Sequence, residues 1–205
     1  MRQTHLIDPH KGITFLAILS MMAIYNQWEN PTVWVCLALH GTYGLLWVLK
    51  SRILPDRQWE QPCSPGYALV IVGGLTLCWI APWLLASRGV QAPPWYLGVC
   101  ISLYSLGVFL HFASDMQKHP ALKLRPGLIT DGLFSRCRNP NYVGELLIYL
   151  GFGLLAVHWI PVAVIGLYIA VLWYPNMRRK DRSLAHYPEF AEWKKRTKLF
   201  IPFVV

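Results

Sequence analysis

The stretch from Tyr142 to Tyr174 reads YVGELLIYLGFGLLAVHWIPVAVIGLYIAVLWY. Glu145 is the only residue in it that carries a formal charge. A helix that crosses a membrane needs about 20 apolar residues, with a range of roughly 17 to 25. The stretch therefore holds two short crossings, and only residues 158–160 lie between them. Such a short connection predicts an antiparallel pair of membrane helices.

Similar apolar runs continue along the rest of the chain. The predicted spans are Ile13–Trp28, Val33–Leu49, Tyr67–Leu85, Trp95–Ala113, Tyr142–Val157 and Pro161–Tyr174. Pro82 is expected to kink the outer end of the third span. Only 14% of the residues are charged, against about 25% in soluble domains. The sequence predicts an all-α, polytopic integral membrane protein of about six helices, with residues 1–205 forming one transmembrane domain.

The basic residues indicate how these spans are oriented. Of the 19 Lys and Arg residues, all except Arg88 fall in the N-terminal segment, in alternate connections or in the C-terminal tail. Lys and Arg concentrate on the cytoplasmic side of membrane proteins, so both termini are predicted to be cytoplasmic. The net charge of +9 does not indicate nucleic-acid binding, because the charges lie between apolar runs. It favours contact with anionic membrane lipids. No added targeting segment is recognised, which suits a bacterial inner membrane.

The cysteines do not indicate a disulfide framework or a metal site. Their number is odd and no two have CxxC spacing. They are Cys36, Cys63, Cys78, Cys100 and Cys137. Three of them lie inside apolar runs, where cysteine commonly acts as a small core residue.

Glu145 is the most informative ionisable residue, because charged groups inside spans usually face a polar cavity or a partner. Asn141, Tyr142 and Tyr149 share its helix face, since the four positions are three or four residues apart. An amide, two phenols and a carboxylate on one face indicate a ligand or catalytic site. The alternative is that Glu145 pairs with an arginine near the headgroups and anchors the topology.

The second span carries a smaller polar pair. His40 and Tyr43 are three residues apart and therefore lie on the same side of a helix. A histidine inside a span is uncommon. The pair is interpreted either as part of a site or as a helix-to-helix hydrogen bond, and the sequence leaves both interpretations open.

Two polar regions are predicted on the cytoplasmic side, where a polar cofactor would bind. The connection from Ser114 to Asn141 is rich in proline and glycine and is expected to form a turning loop. The tail after Pro175 is expected to begin as a helix with a basic face. Together they supply Lys118, Arg138, Asn176, Arg179 and Asp181 as candidate cofactor ligands. Arginine suits phosphate because it donates two parallel hydrogen bonds; the alternative role for the tail is adsorption to anionic lipid.

These residues carry a resemblance to known membrane enzymes over about residues 104–205. A Ser-Asp pair after a span, LRPG, GLF, NPNYVGE and the ending WKKRTKLFIPF occur in the order found in the steroid 5-alpha-reductase-like family. These are membrane reductases that use NADPH. The NPNYVG segment also resembles a motif of the isoprenylcysteine and phospholipid methyltransferases, which bind S-adenosylmethionine in a similar place.

Departures from the two patterns favour the reductase. The methyltransferases typically have His at the position of Asn139, and glutamates where this chain has Lys180 and Asp181. The basic tail also suits NADPH, which has three phosphates, better than S-adenosylmethionine, which has none. The expected function is reduction of a double bond in a sterol-like or isoprenoid substrate, with the methyltransferase as the alternative. A non-catalytic carrier or scaffold is the third hypothesis, although neither repeat symmetry nor broken spans indicate transport.

The resemblance also implies roles for individual residues. The expected nucleotide contacts are Asp115, Arg125, Asn141, Tyr142, Glu145, Arg179 and Tyr187. The family takes its proton donor from a Glu and a Tyr in early spans, but the first three spans here contain no Glu. His40 and Tyr43 are therefore the hypothetical replacement, and Glu145 is the third candidate catalytic residue.

Overall fold

A computed structural model describes residues 1–56 and 58–202 of the chain. Arg57, which contributed to the charge count, and Phe203, which closes the C-terminal motif, lie outside the described residues. The described part is helical throughout and contains no strand longer than an isolated bridge. This confirms the all-α prediction.

The helices follow one another with short connections. They are α1 (Thr4–Ile24), α2 (Pro31–Ile53), α3 (Pro65–Arg88), α4 (Pro94–Leu124), α5 (Pro140–Gly153), α6 (Trp159–Leu184) and α7 (Phe190–Arg196). Asn30 and Ser64 cap two of them, because each side chain accepts a hydrogen bond from a backbone N–H in the first turn, and each is followed by proline. Serine and asparagine are preferred at this position for that reason.

Five helices in the described part, α1 to α4 and α6, are long and apolar enough to cross a membrane. Helix α5 continues through a turn at Leu154–Ala156, so its helical run covers residues 140–156. That run lies at the lower limit for a crossing. The polytopic membrane fold is confirmed, while the sixth crossing and the orientation remain predictions.

Helix α1 begins earlier than predicted, at Thr4 instead of Ile13. The predicted span began only after Lys11, because a lysine was expected to lie in water rather than inside a membrane helix. In the structure Lys11 is inside the helix and only 8% exposed. Aromatic rings cover its ammonium group, as described below, and this explains why the helix accommodates the charge.

Helix α3 is interrupted at Cys78 and Trp79, one turn before Pro82. A proline ring clashes with the carbonyl of the fourth residue before it, which here is Cys78. The N–H groups of Cys78 and Trp79 accordingly bond to the third residue before them. The proline does disturb this span, but the break precedes it.

The turning loop predicted from Ser114 is wrong over its first part, since α4 continues to Leu124. Pro120 lies inside the helix near its end, so that little helix lies beyond the lost hydrogen bond. The polar residues before it, including Asp115 and Lys118, are compatible with helix. The sixth span also extends beyond its predicted end, because α6 runs on to Leu184 and carries the first basic part of the tail.

The chain forms two compact units, and three of its helices contribute to both. Unit 1 comprises Met1–Ser102 and Leu150–Val164, and unit 2 comprises Leu103–Tyr149 and Ile165–Val205. In unit 1, α1 packs mainly against α2, and the buried face of α1 repeats at helical spacing: Ile7, Lys11, Thr14, Ile18 and Met22. This spacing is that of a helix with one packed face.

In unit 2, α4 and α5 approach each other backbone to backbone. A Cβ added at Gly107 would lie 2.7 Å from the carbonyl oxygen of Gly144 and 2.7 Å from the nitrogen of Ile148. Small residues permit this kind of contact between membrane helices. The crossing also holds the imidazole of His111 3.1 Å from the backbone oxygen of Asn141. It therefore brings the polar ends of α4 and α5 together.

Candidate functional site

Residues 198–200 of the C-terminal motif are hydrogen-bonded in unit 2 to residues 136–138, which directly precede the NPNYVGE motif. The backbone N–H of Arg138 donates to the oxygen of Lys198 at 2.8 Å, and the N–H of Lys198 donates to the oxygen of Arg136 at 3.1 Å. The Cys137 thiol lies 2.8 Å from the oxygen of Phe200, and burial raises the pKa of that thiol. The C-terminal segment thus runs parallel to the residues just before α5, and Cys137 and Lys198 form an isolated parallel β-bridge.

Arg138 and Asp181 form a buried ion pair. The Nε of Arg138 donates to Oδ1 of Asp181 at 3.1 Å, and both side chains are 7% exposed. A second guanidinium nitrogen donates to the Thr197 carbonyl oxygen at 2.8 Å. Both residues were predicted as cofactor ligands. The structure directs them toward each other and the tail, where they hold α5, α6 and the C-terminal segment together.

Asn139 and Lys180 form a second link between the same elements. The fully buried Asn139 amide donates to the Leu199 oxygen at 2.8 Å and accepts from Nζ of Lys180 at 3.1 Å. Lys180 also donates to the Arg138 carbonyl oxygen at 3.2 Å. Neither residue was predicted as a site residue. The sequence did mark both positions, because at each of them this chain differs from the methyltransferase pattern. The structure shows that the two side chains at these positions are hydrogen-bonded to each other.

The predicted stripe on α5 is present as one face of the helix. The hydroxyl of Tyr149 donates to Oε1 of Glu145 at 2.8 Å. The rings of Tyr142 and Tyr149 lie 5.6 and 5.8 Å from the ring of Trp173. Glu145 is half-buried. Its carboxylate is therefore held by Tyr149 two turns after the Arg138–Asp181 pair.

The remaining candidates of unit 2 keep more exposure. Arg125 and Arg179 are exposed, and Asn176 and Tyr187 are half-buried. Neither arginine forms an ion pair with a carboxylate in the described part of the chain. Asp115 and Lys118 are half-buried, and both interact electrostatically with Lys180. These two residues therefore lie near Lys180, and their role as cofactor ligands stays a prediction.

An aromatic cluster supports this end of unit 2. Phe134, Phe190 and Trp193 are buried together, and Tyr187 packs against them. The indole N–H of Trp193 donates to the Phe134 oxygen at 2.9 Å. This contact fixes α7 against the connection that precedes α5. The GLF motif, which contains Phe134, therefore has a structural role here.

The early-span candidates belong to unit 1. His40 lies in a π-helical turn of α2 at Leu37–Gly41 and is 5% exposed. Its ring stacks face to face on Phe152, with centroids 3.9 Å apart and an interplanar angle of 1°. In the described part of the chain, its Nδ1 has no hydrogen-bond partner. A π-helical turn is often found at functional sites, and a buried polar atom without a partner calls for an explanation.

Tyr43 lies beside a residue that the sequence did not suggest. Tyr43 is 2% exposed and its ring is 6.3 Å from that of Trp47. The ammonium nitrogen of Lys11 lies 4.6 Å from the Tyr43 ring centroid and 3.7 Å from the Trp47 ring centroid. The available signal was the position of Lys11 in the otherwise apolar and neutral stripe of α1. The predicted catalytic residues therefore divide between the units, with His40 and Tyr43 in unit 1 and Glu145 in unit 2.

The fold and the sites define a multi-pass integral membrane protein whose polar residues gather at one end of unit 2 and inside the first helices of unit 1. The pattern of the family described as "Protein of unknown function (DUF1295)" matches residues 75–197, and the chain belongs to this family. The family is related to the steroid 5-alpha-reductase-like proteins. The match covers most of unit 2, together with residues 75–102 and 150–164 of unit 1.

Two curated bacterial proteins resemble a shorter part of the chain. One is the cobalt-zinc-cadmium resistance protein CzcN of Cupriavidus metallidurans, 42% identical over 76 residues. The other is the nickel-cobalt-cadmium resistance protein NccN of Alcaligenes xylosoxydans xylosoxydans, 32% identical over 76 residues. Each alignment covers 37% of this chain, and 35% and 36% of the respective relative. The chain thus matches about a third of the length of these relatives.

Proposed function

We propose that the protein is an NADPH-dependent membrane reductase that acts on a polarised double bond of a lipid-soluble substrate, sterol-like or isoprenoid. The observation that carries the proposal is the division among the arginines of unit 2. Arg138 is neutralised inside the protein by Asp181. Arg125 and Arg179 keep exposed guanidinium groups without a carboxylate partner in the described part. Phosphate groups match such guanidinium groups in charge and geometry.

The other residues at this end fit the rest of a dinucleotide. The carboxylate of Glu145 can accept hydrogen bonds from the hydroxyls of the nicotinamide ribose, which carries no 2′-phosphate. The Tyr142 ring offers an aromatic face for a flat heterocycle. When bound, NADPH supplies a hydride to the substrate and becomes NADP⁺. Arg125, Arg179 and Glu145 would hold the cofactor, and the chain must then supply one proton.

His40 and Tyr43 are the proposed source of that proton. A group that donates a proton to the substrate carbonyl or to the second carbon completes the reduction. Both residues are buried in helix α2. In the described part of the chain, no hydrogen-bond partner occupies Nδ1 of His40. In this role Tyr43 or His40 donates the proton and is reprotonated from water after the step.

A methyltransferase is the second candidate, and a separate observation favours it. Glu145 accepts a hydrogen bond from Tyr149, whose ring lies 5.8 Å from that of Trp173. Aromatic faces and a carboxylate are a combination that attracts cations, and S-adenosylmethionine carries a sulfonium cation. The oxidised nicotinamide ring is also cationic, so this observation supports both cofactors. The exposed arginines are what favour NADPH.

The test is ligand-dependent thermal unfolding of the full chain in detergent. NADPH, NADH and S-adenosylmethionine are compared at equal concentrations. A ligand present at about 100 times its Kd stabilises the folded state by about 2.7 kcal/mol. We expect the largest rise in Tm with NADPH and a smaller one with NADH, which lacks the 2′-phosphate. Arg179→Gln should reduce the NADPH effect.

Arg88→Gln provides the matched control, because it removes one exposed arginine from the predicted outer connection and should leave the NADPH effect unchanged. A rise with S-adenosylmethionine alone would refute the reductase in favour of the methyltransferase. The names of the two relatives suggest a further comparison with Co²⁺, Zn²⁺ and Cd²⁺. Stabilisation by these ions without any nucleotide effect would also contradict the proposal.

A further inference from the structure

Lys11 is a charged residue in the interior of unit 1. It lies on the buried face of α1 between Ile7 and Thr14, and it is 8% exposed. Helix α1 is one of the helices long and apolar enough to cross a membrane. Ionisable residues in such helices are costly to bury and generally serve a function. The proposed reaction does not yet use this residue.

The position of the Lys11 ammonium is fixed by α2. It lies over the faces of Trp47 and Tyr43, at 3.7 and 4.6 Å from the ring centroids. The two helices are in close backbone contact at Gly44, where an added Cβ would collide with the carbonyl oxygen of Lys11. A larger residue at this position would separate the helices. The packing therefore holds the cation directly beside the Tyr43 ring.

Other charged and titratable groups around Lys11 belong to the same unit. Lys11 and His10 both interact electrostatically with His40. Asp8, one turn before Lys11, accepts a hydrogen bond from Ser51 at 2.8 Å. Lys50 lies 4.9 Å from the Trp47 ring centroid. Lys11 is in contact with the Tyr43 ring.

We propose that Lys11 is a positioning residue for proton donation by Tyr43, an inference that rests on the proposed reductase function. When the Tyr43 O–H bond breaks and the proton moves to the substrate, its electron pair stays on the phenol oxygen. A fixed cation beside the ring stabilises that developing negative charge, and it does so strongly because the surroundings are apolar. The same cation holds the Tyr43 and Trp47 rings in one arrangement before the substrate binds.

The experiment compares four variants of the full chain with the wild type in an NADPH oxidation assay with unsaturated lipid substrates. They are Lys11→Met, Lys11→Arg, Tyr43→Phe and the double variant Lys11→Met/Tyr43→Phe. Removing one stabilising group at a developing charge commonly lowers kcat by about 100-fold or more. We expect that loss for Lys11→Met with KM nearly unchanged. Lys11→Arg, which retains a cation, should recover most of the activity.

The double variant separates a role through Tyr43 from a purely structural one. If Lys11 acts through Tyr43, the double variant should be no less active than Tyr43→Phe alone. If the effects of the two single variants multiply, or if Lys11→Met keeps wild-type kcat, the inference is refuted. Thermal unfolding reports whether each variant folds, and Lys11→Gln replaces Lys11→Met should the latter not fold. A folded wild type without reductase activity refutes the proposed function itself, and this role for Lys11 with it.

Discussion

Units 1 and 2 each bury a basic side chain, and they compensate its charge differently. In unit 2, Arg138 is paired with Asp181 and also donates to a backbone carbonyl. In unit 1, Lys11 is held by two aromatic rings. A carboxylate cancels the charge of its partner, whereas an aromatic face attracts a cation without cancelling its charge. The first arrangement suits a structural link, and the second places a cation directly beside two aromatic rings.

The largest expected effect is on the ion pair of unit 2. Replacing Arg138 by Met leaves the Asp181 carboxylate buried, and Oδ2 of that carboxylate already lacks a hydrogen-bond partner in the described part of the chain. Removing one member of a buried pair typically costs about 3–5 kcal/mol. We expect a loss of that size in the free energy of unfolding, measured by reversible denaturation in mixed micelles.

Two further variants test the reason for that loss. Asp181→Leu combined with Arg138→Met removes both charges and should restore part of the stability, since no uncompensated charge remains. Arg125→Met removes an exposed arginine and should change the free energy of unfolding by less than about 0.5 kcal/mol. If Arg138→Met were as mild as Arg125→Met, the ion pair would not hold the elements of unit 2 together.

A smaller effect is expected where α4 meets α5. Gly107→Ala places a Cβ within 2.7 Å of the Gly144 oxygen, so the helices must separate. Overpacking of this kind typically costs about 1–3 kcal/mol. Gly98→Ala is the control in the same helix, because a Cβ there meets nothing within 4 Å. It should be neutral or stabilising, as alanine favours helix over glycine by about 1 kcal/mol.

Thermal unfolding of these two variants distinguishes packing from helix propensity. Equal effects of Gly107→Ala and Gly98→Ala would mean that the backbone contact between α4 and α5 is unimportant. A loss confined to Gly107→Ala would show that this crossing positions the polar ends of both helices.

Hydropathy was sufficient to predict the membrane helices but not their ends. The apolar runs identified the five helices of the described part that are long and apolar enough to cross a membrane, because lipid and packed protein both exclude charge. The ends depended on how charges are accommodated, which composition does not show. Lys11 lies inside a helix because Trp47 and Tyr43 cover it. Residues 114–124 are helical because they continue α4 past the predicted end of its apolar span.

Only part of the candidate site could be predicted, because sequence patterns show local spacing but not contacts between residues far apart in the chain. The stripe containing Glu145 and Tyr149 follows from helical spacing and was found correctly as one face. The partner of Arg138 is 43 residues away in sequence, so no local pattern reveals that Asp181 pairs with it. Asn139 and Lys180 were missed because their importance lies in a contact between α6 and the residue just before α5.

Apart from the control variants, the smallest expected effect on stability belongs to Lys11, and it sharpens the comparison between the units. Lys11→Met keeps an unbranched side chain of similar length and removes the cost of burying a charge, while it loses a cation–π attraction worth about 0.5–2 kcal/mol. These terms oppose each other, so we expect the free energy of unfolding to change by less than about 1.5 kcal/mol. The same denaturation measurement used for Arg138→Met provides the direct comparison. A loss as large as that of Arg138→Met would make Lys11 a structural residue. A near-neutral change would mean that folding does not require a cation at this position.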